Sequence, residues 1–394
     1  MSYIGKTPTP APLTSSDITD GIITTTKIAD ANVTNPKLTS GSQQNFRNII
    51  INGDMSIAQR GTSVSGVGNG DSGYHTCDRW KFFELGAGTG EFTQSQSTDV
   101  PTGQGFATSL KMDCTTADAS LAAADVMWIQ QIVEAQNLQY IKKGTSSAES
   151  LTLSFWVYAT KTGTNICELY DENNRQVSKS YTISSSNTWE KKTITFPADT
   201  SGALGNDNGI GMYVNFFLLA GSNYTSGTLS ETWTSATAAN RGVGQVNHAD
   251  NTSNNFYITG VQFEAGTTAS DFEFLPYDVN LRRCQRYFQK SYNVNVNPAT
   301  STSVGEQTIG GGSDNGGNIS TMLTQHGEMR AAPTIVGYAG TTSGVWGVNR
   351  NGASGTGTFN SHRHGQHSTS AYANIGAGWT VGWITGHFTM SSEL

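Results

Sequence analysis

Carboxylate side chains are the first candidates for chemistry, because enzymes that hydrolyse glycosidic bonds use two of them placed about 5 to 10 Å apart. The acids of the chain include Glu84, Glu91, Glu168, Asp171, Glu172 and Glu264. None of them has a spacing typical of a catalytic pair, and Asp171 and Glu172 belong to the turn-like sequence DENNR. The sequence also contains no GxSxG, P-loop or HExxH motif. We therefore expect a protein that is not an enzyme, with a glycan hydrolase or lyase as the alternative.

Aromatic rings near the end of the chain are candidates for ligand contacts. Four of them lie among glycine-rich turns, namely Trp346, Tyr372, Trp379 and Trp383. Exposed rings stack on the faces of sugars, and loops held by a rigid scaffold are common binding sites. We predict that these four side chains contact a ligand. The alternative is that they form the core of a small domain.

Residues 18–41 contain a repeat of ten residues. Written in register, it reads ITDGIITTTK, IADANVTNPK and LTSG, so that Ile18, Ile28 and Leu38 coincide. Such a unit has too few apolar residues to offset the loss of backbone entropy on ordering, roughly 1 to 2 kcal/mol per residue. It needs a partner, and identical chains wound about one axis supply it. We predict that these three side chains make contacts in a homotrimer, with a flexible tether as the alternative.

The sequence SHRHGQH at 361–367 holds three of the seven histidines. In a strand-like backbone, residues i and i+2 point to the same side, so His362 and His364 are expected to face one direction and Arg363 the other. Around a three-fold axis they would offer six imidazole nitrogens, a number that suits a transition metal ion such as iron. This predicts a metal site at a trimer axis, and the alternative is an exposed loop without metal.

The elements that hold these residues are predicted to be β-strands. Only 13% of the residues are charged and 45 are glycine, which is typical of short strands joined by many turns. LTLSFWVY at 151–158 alternates between two faces, whereas MYVNFFLL at 212–219 is apolar on both and indicates a covered strand. Gly260 indicates a bulge. Residues 117–141 predict a short helix followed by a strand, because alanines favour helix at the start.

Charge and cysteine content exclude several classes of partner. The formal net charge is −7 and no basic cluster is long enough to neutralise a row of phosphates, so we expect no nucleic-acid binding. No stretch approaches the ~18 apolar residues of a membrane span, so we expect no membrane insertion. The four cysteines are scattered and form no CxxC pair, which predicts free, mostly buried thiols.

Several segments resemble a family of tailed-bacteriophage fibre proteins. NIIINGDMSIAQRGTS followed by YHTCDRW is similar to the opening of their β-sandwich domains, and FYITGVQFEAG with FEFLPYDVNLRRCQRYFQKSYN resembles later strands and the joint into the tip. MRAAPTI at 329–335 and the terminal SSEL resemble a fibre-tip domain, and the ten-residue repeat is similar to fibre anchors. Carbohydrate-binding modules share the sandwich architecture, so the resemblance implies affinity for glycans. It also implies His-x-His metal sites at fibre tips.

Polar residues within these motifs are expected to pair with one another. Gln59, Arg60, Asp78 and Arg79 lie beside apolar neighbours, where an unpaired charge would be costly. We predict that the four form a structural network and not a binding site.

These observations predict an all-β chain of four parts. They are an N-terminal virion anchor at 1–44, a jelly-roll-like, carbohydrate-binding-module-like β-sandwich at 45–276, a junction and linker at 277–321 and a small β tip domain at 322–394. We expect a homotrimeric tail fibre of the virion, made in the host cytoplasm, that contacts tail or adaptor proteins and a host-surface glycan or other receptor. The alternatives are a tailspike-type depolymerase and a head fibre or connector without a receptor role. No cofactor is expected apart from the metal ion at the trimer axis.

Overall fold

The structure is a computed structural model that describes residues 46–312, 314, 317–350, 353–376 and 381–394. Its regular elements are predominantly antiparallel β-strands, which confirms the predicted all-β class. The predicted anchor at 1–44 lies outside the described residues, and so do its contacts Ile18, Ile28 and Leu38. In the described part of the chain, no helix is long and apolar enough to cross a membrane.

The strands fall into two groups along the chain. The first group, in chain order, is β1 (Ser63–Gly68), β2 (Gly73–Tyr74), β3 (Lys81–Leu85), β4 (Glu91–Ser97), β5 (Ser109–Thr116), β6 (Val126–Glu134), β7 (Leu151–Ala159), β8 (Gly163–Asp171), β9 (Arg175–Ile183), β10 (Glu190–Phe196), β11 (Ile210–Ala220), β12 (Thr234–Ser235) and β13 (Asn255–Ala265). The second group is β14 (Phe288–Lys290), β15 (Gln307–Gly312), β16 (Asn318–Leu323), β17 (Thr334–Ala339), β18 (Thr342–Ser343), β19 (Val345–Arg350), β20 (Ala353–His362), β21 (Thr369–Asn374) and β22 (Val381–Ser391). The helices are α1 (Ser222–Thr225), α2 (Tyr277–Gln285) and two 3-10 segments, Ala135–Ile141 and Ala238–Asn240.

The first group forms a sandwich of two antiparallel sheets. One sheet has six strands in the order β1-β4-β5-β13-β7-β10, and the other has seven in the order β12-β9-β8-β11-β6-β3-β2. Their inner faces share one apolar core, in which the rings of Phe155 on β7 and Phe216 on β11 meet with centroids 5.1 Å apart. Burial of these inward-facing side chains drives the two sheets together.

Strand β11 carries buried apolar side chains on both faces, as predicted, with Phe216 in the core between the sheets and Phe217 in a cluster on the outer face. On that outer face Tyr213 is partly exposed. The prediction for 117–141 is wrong in its order. The strand β6 comes first, with all nine residues buried, and the 3-10 helix follows it. The alanines that precede β6 form a turn instead of a helix, in which the backbone N–H of Ala122 donates to Asp125 Oδ2 at 2.7 Å. The strand that follows pairs with β3 and β11.

Two smaller predictions are confirmed inside the sandwich. Gly260 has a φ of +60°, and the register between β13 and β7 shifts there, so the residue forms a bulge. A side chain at this position would collide with the ring of Phe106, since a Cβ would lie 2.5 Å from it. The four cysteines, Cys77, Cys114, Cys167 and Cys284, are all free and buried.

The second group of strands forms a third sheet of nine strands. Its order is β16-β21-β20-β19-β22-β17-β18, and β14 and β15 also pair with β22. Strand β22 is the long central element, with Ile384, Phe388 and Met390 in a separate small core. Since β14 already belongs to this sheet, pairing begins inside the stretch 277–321 that is predicted as junction and linker. The predicted four-part division otherwise stays a prediction.

The predicted polar network is confirmed, and it joins the sandwich to the third sheet. Asp78 accepts hydrogen bonds from the backbone and side-chain amides of Gln59 and lies 3.6 Å from Arg60. Arg60 and Arg79 both pair with Glu393, and the guanidinium of Arg79 stacks on the ring of Tyr287. Burial raises the pKa of Asp78 to about 6, against the opposing effect of Arg60. These charges therefore hold two parts of the fold together.

Candidate functional site

A row of polar side chains crosses the outer face of the seven-stranded sheet. Register places Lys81 opposite Gln130, Gln130 opposite Asn215, Asn215 opposite Glu168, and Glu168 opposite Ser178. The residues one position along each strand, such as Phe82, point instead into the core. Five adjacent strands at the usual spacing give the row a length of about 19 Å. We call these five residues the polar row.

Aromatic side chains stand on both sides of the polar row. On one side, Phe83, Trp128 and Phe217 are cross-strand neighbours, with Phe83 stacked on Trp128 at 4.4 Å between centroids. On the other side, Tyr213 and Tyr170 are neighbours at 6.0 Å. Residues two apart on a strand share a face, so alternate positions of the same strands provide the polar row and both aromatic flanks.

A cleft of about 280 Å³ is lined by Lys81, Gln130 and Asn215 of the polar row and by the rings of Phe83, Trp128, Tyr170 and Tyr213. Glu168 and Ser178, at the other end of the row, are fully buried. The rings of Phe83, Tyr170 and Tyr213 are partly exposed, whereas Trp128 is only 5% exposed because Phe83 covers it. The accessible surface of the cleft is mostly apolar and includes aliphatic side chains such as Leu85, with amide and charged groups between the rings. We call this feature the outer cleft.

A buried ion pair forms the floor of the outer cleft. Arg241 donates from Nε and Nη2 to the two carboxylate oxygens of Glu168, both at 2.7 Å, and Asn215 Nδ2 donates to Glu168 Oε2 at 2.8 Å. The guanidinium lies 5.0 Å from the ring centroids of both Trp128 and Tyr170. Burial works against the charge of Arg241, but Glu168 outweighs it and raises the pKa of the guanidinium. The pair fixes the floor in one arrangement.

Two amides of the polar row keep hydrogen-bonding capacity for a ligand. Gln130 Oε1 accepts from Trp128 Nε1 at 2.7 Å, and its Nε2 has no hydrogen-bond partner among the described residues. Asn215 turns its Nδ2 toward Glu168, which leaves Oδ1 buried and without a partner in the described part of the chain. A buried polar atom without a partner is costly, so the site favours a ligand that completes these bonds.

The aromatic residues predicted as ligand contacts occupy different environments. Trp346 is fully buried and donates from Nε1 to the carbonyl of His387 at 2.8 Å, contrary to the expectation of an exposed ring. It is a core residue because the third sheet closes over it: a Cβ on Gly386 would lie 2.3 Å from the ring. Tyr372 is partly buried, Trp383 is 45% exposed, and Trp379 lies outside the described residues.

The prediction that His362 and His364 face one direction assumes an extended backbone, which the structure does not have at Arg363. Strand β20 ends at His362, and Arg363 has a φ of +54°, so the alternation of an extended strand stops there. The ring of His362 packs against Tyr372, while His364 Nδ1 lies 2.9 Å from the carbonyl oxygen of Pro333. Among the described residues, no group of three or more His, Cys, Asp or Glu side chains is arranged to hold a metal ion. A site shared between chains stays a prediction.

The outer cleft is the feature that sequence reasoning missed. One signal was present, since KFFEL, VMWIQQ and MYVNF each place an aromatic residue two positions from an amide or a lysine. This signal identifies the outer cleft only when the register of strands that lie far apart in the chain is known.

Comparisons with known proteins give fold-level matches alone. No family model and no curated protein matches the chain. Solved structures that match include the enzymatically active domain of bacteriophage CBA120 tailspike protein 4, at 15% identity and a TM-score of 0.29 over 56% of this chain and 22% of that chain. Another is a xylan-binding domain of carbohydrate-binding module family 22, at 12% identity and a TM-score of 0.26 over 53% of this chain and 98% of that one.

A third match is the family 11 carbohydrate-binding module of a Clostridium thermocellum cellulosomal cellulase, at 10% identity and a TM-score of 0.25 over 49% of this chain and 90% of that chain. The chain thus spans less than a quarter of the tailspike structure's length but nearly all of each binding module. At TM-scores this low the matches carry no weight for function, and the site is assigned from its own geometry.

Proposed function

We propose that the protein is a virion fibre protein whose sandwich binds a glycan in the outer cleft. The observation that carries the proposal is the polar row between two aromatic flanks. A sugar presents apolar C–H faces and a rim of hydroxyl groups, so it needs rings to stack on and amides to bond with at the same time. Phe83, Tyr170 and Tyr213 provide the rings, and Gln130 and Asn215 provide the free donor and acceptor.

The length of the site favours an oligosaccharide over a single sugar. The lining of the outer cleft crosses four adjacent strands, from Lys81 on β3 to Tyr170 on β8. A chain of sugars lying across the strands would meet a ring or an amide at each strand that it crosses. Such a ligand would also bury more of the site than one sugar.

Binding without cleavage is the function that the lining supports. Hydrolysis of a glycosidic bond uses two carboxyl groups that flank the bond. No Asp or Glu side chain lines the outer cleft within the described residues. Glu168 lies beneath it, but both of its oxygens are bonded to Arg241 and one also to Asn215. Both carboxylate oxygens of Glu168 are therefore already bonded within the floor of the cleft.

The place of the protein in a particle rests on the sequence. The ten-residue repeat at 18–41 and the resemblance of the sandwich motifs to phage fibre proteins support a homotrimer that attaches to the virion through residues 1–44. In this proposal the sandwich and the third sheet are the distal parts, and the glycan belongs to the host surface. A head fibre or connector without a receptor role remains the alternative.

The proposal is tested by comparing two tyrosines on opposite faces of the sandwich. Tyr213 lies in the outer cleft, and Tyr158 lies on the outer face of the six-stranded sheet; both are partly buried. The full chain is screened on an array of bacterial capsular and lipopolysaccharide oligosaccharides, and hits are measured by calorimetry. We expect Tyr213→Ala to weaken binding about tenfold, as for a typical central contact, and Tyr158→Ala to leave it unchanged. Equal effects of the two variants, or no hit at all, would overturn the assignment.

A further inference from the structure

The side chains that line the outer cleft include cations but no acid, although the protein is acidic overall. The chain has a formal net charge of −7, yet the cleft is lined by two cationic side chains, Lys81 and Arg241, and by no Asp or Glu side chain of the described residues. Clefts of one charge concentrate ligands of the opposite charge. The imbalance therefore points to the charge of the ligand.

The two cations differ in how far the protein neutralises them. Arg241 is bonded twice to Glu168, although its Nη1 makes no hydrogen bond among the described residues. Lys81 forms no ion pair in the described part of the chain, and its Nζ lies 5.7 Å from the ring centroid of Tyr74. Burial lowers the pKa of Lys81, and the charge of Glu393 offsets only part of this effect. Lys81 is thus the cation that the fold leaves without a close partner.

The position of Lys81 determines at which end of the polar row a ligand would meet its charge. It stands at one end of the polar row, directly opposite Gln130, whose Nε2 is also a donor without a partner in the described structure. At this end the register therefore places a side chain with an ammonium group on the strand next to a side chain with a free amide N–H group. Two adjacent donors, one of them charged, match an anionic oxygen better than a hydroxyl group.

We propose that the glycan bound in the outer cleft is acidic, with the anionic substituent of one sugar unit, a carboxylate or a sulfate, placed against Lys81 and Gln130. This inference rests on the proposed function and names the ligand class of the same site. The neutral sugar units then lie toward Asn215, between Tyr213 and Phe83. The cleft binds the sugar rings through stacking and selects among glycans through this single charged contact.

The test uses the full chain and defined oligosaccharides in three forms: an oligouronate, its carboxyl-reduced neutral counterpart, and the same neutral oligosaccharide bearing a sulfate. Lys81→Met keeps the apolar stem and removes the charge, and Lys81→Arg keeps the charge. The matched control is Lys111→Met, because Lys111 lies partly buried on the opposite sheet beside Asp113, at 3.3 Å. Melting temperatures verify that each variant folds.

We expect the parent protein to bind an acidic form at least tenfold more tightly than the neutral one, in keeping with the strength of a charge-assisted hydrogen bond. Lys81→Met should remove this preference while changing affinity for the neutral form less than twofold. Lys81→Arg and Lys111→Met should retain it. Whether the oligouronate or the sulfated form binds more tightly identifies the substituent.

Failure of the acidic-ligand proposal can be distinguished from failure of the proposed function. If the neutral form binds as tightly as both acidic forms and Lys81→Met changes nothing, the acidic ligand is wrong and glycan binding stands. If none of the three forms binds and the glycan array also gives no hit, the proposed function itself fails.

Discussion

The two outer faces of the sandwich are both rich in aromatic rings, but they use them differently. On the six-stranded sheet, Tyr158, Trp189 and Tyr257 pack against one another with centroids 4.9 to 6.1 Å apart. Their polar atoms are largely bonded within the chain, since Trp189 Nε1 donates to Asp99 at 3.0 Å and the Tyr158 hydroxyl bonds to Asn187 at 3.1 Å. On the seven-stranded sheet, two groups of packed rings stand on either side of the polar row, and amide atoms between the groups remain unbonded.

This difference shows that aromatic content alone does not make a binding site. Rings packed into one continuous cluster leave no gap between them for a ligand. Rings held apart by a row of amides leave a gap with unmet hydrogen bonds, and a ligand can fill it at a gain in free energy. The outer cleft is therefore distinguished by Gln130 and Asn215 as much as by its rings.

The largest expected effect is on the free energy of unfolding, and it differs between the two outer faces. Trp128 is 5% exposed, stacks on Phe83, and lies beside Arg241. Trp128→Ala should lower the free energy of unfolding by about 3 to 5 kcal/mol, as for other buried tryptophans. Trp189 is partly exposed, so Trp189→Ala should cost less than about 1 kcal/mol. Guanidinium chloride denaturation followed by far-UV circular dichroism measures both, and similar losses would contradict the distinction.

Much of the sandwich can be predicted from local sequence. The alternation in LTLSFWVY matches strand β7, and Gly260 marks a bulge because few other residues adopt its φ. The order of helix and strand around β6 cannot be read in this way. Alanines before Val126 favour helix locally, but the burial of the whole strand depends on neighbours more than 40 residues away along the chain, such as β3.

The site is harder to predict than the fold for a physical reason. Lys81, Gln130, Asn215 and Glu168 come from four strands, and only the cross-strand register brings them into one row. Trp346 and Trp383 show the same limit: both lie on strands beside glycines, yet one is fully buried and the other 45% exposed. Which ring is free depends on the closure of the third sheet, and the local sequence does not contain that information.

The next prediction concerns the pH dependence of stability and a histidine in contact with both sheets. His248 is buried between the sheets, with Nε2 2.7 Å from Asn165 Oδ1 on β8 and its ring 5.2 Å from Phe256 on β13. Burial lowers its pKa from 6.5 to about 3. Below pH 6.5 the unfolded chain takes up a proton that the folded chain refuses, so this contribution to stability is complete above pH 6.5 and is lost as the pH falls toward 3.

At pH 5 the loss should be about 2 kcal/mol relative to pH 7, since one proton corresponds to about 1.4 kcal/mol per pH unit. His248→Gln keeps a donor and does not titrate, so it should remove this part of the pH dependence. Asp78 acts in the opposite direction, because its raised pKa of about 6 favours the folded state at low pH. The variant is therefore compared with the parent, and exposed His367→Gln is the control. Identical pH profiles for parent and His248→Gln would contradict the prediction.

The smallest expected effect concerns a third aromatic surface, on the nine-stranded sheet. Trp383 is 45% exposed and borders a groove of about 110 Å³ shared with Gly347, Asn349 and Ser354. Its cross-strand neighbours are Gly310 and Asn349, so no large side chain covers the ring. The groove has no second row of rings in the described structure, and we propose it as an auxiliary receptor contact, distinct from the outer cleft.

One lost stacking contact is worth about 1 kcal/mol, which corresponds to roughly a fivefold change. Trp383→Ala should thus reduce adsorption of the protein to host cells about fivefold while leaving calorimetric affinity for the cleft oligosaccharide unchanged. Unchanged adsorption would remove Trp383 from the receptor surface, and a parallel loss in both assays would place the two surfaces in a single site.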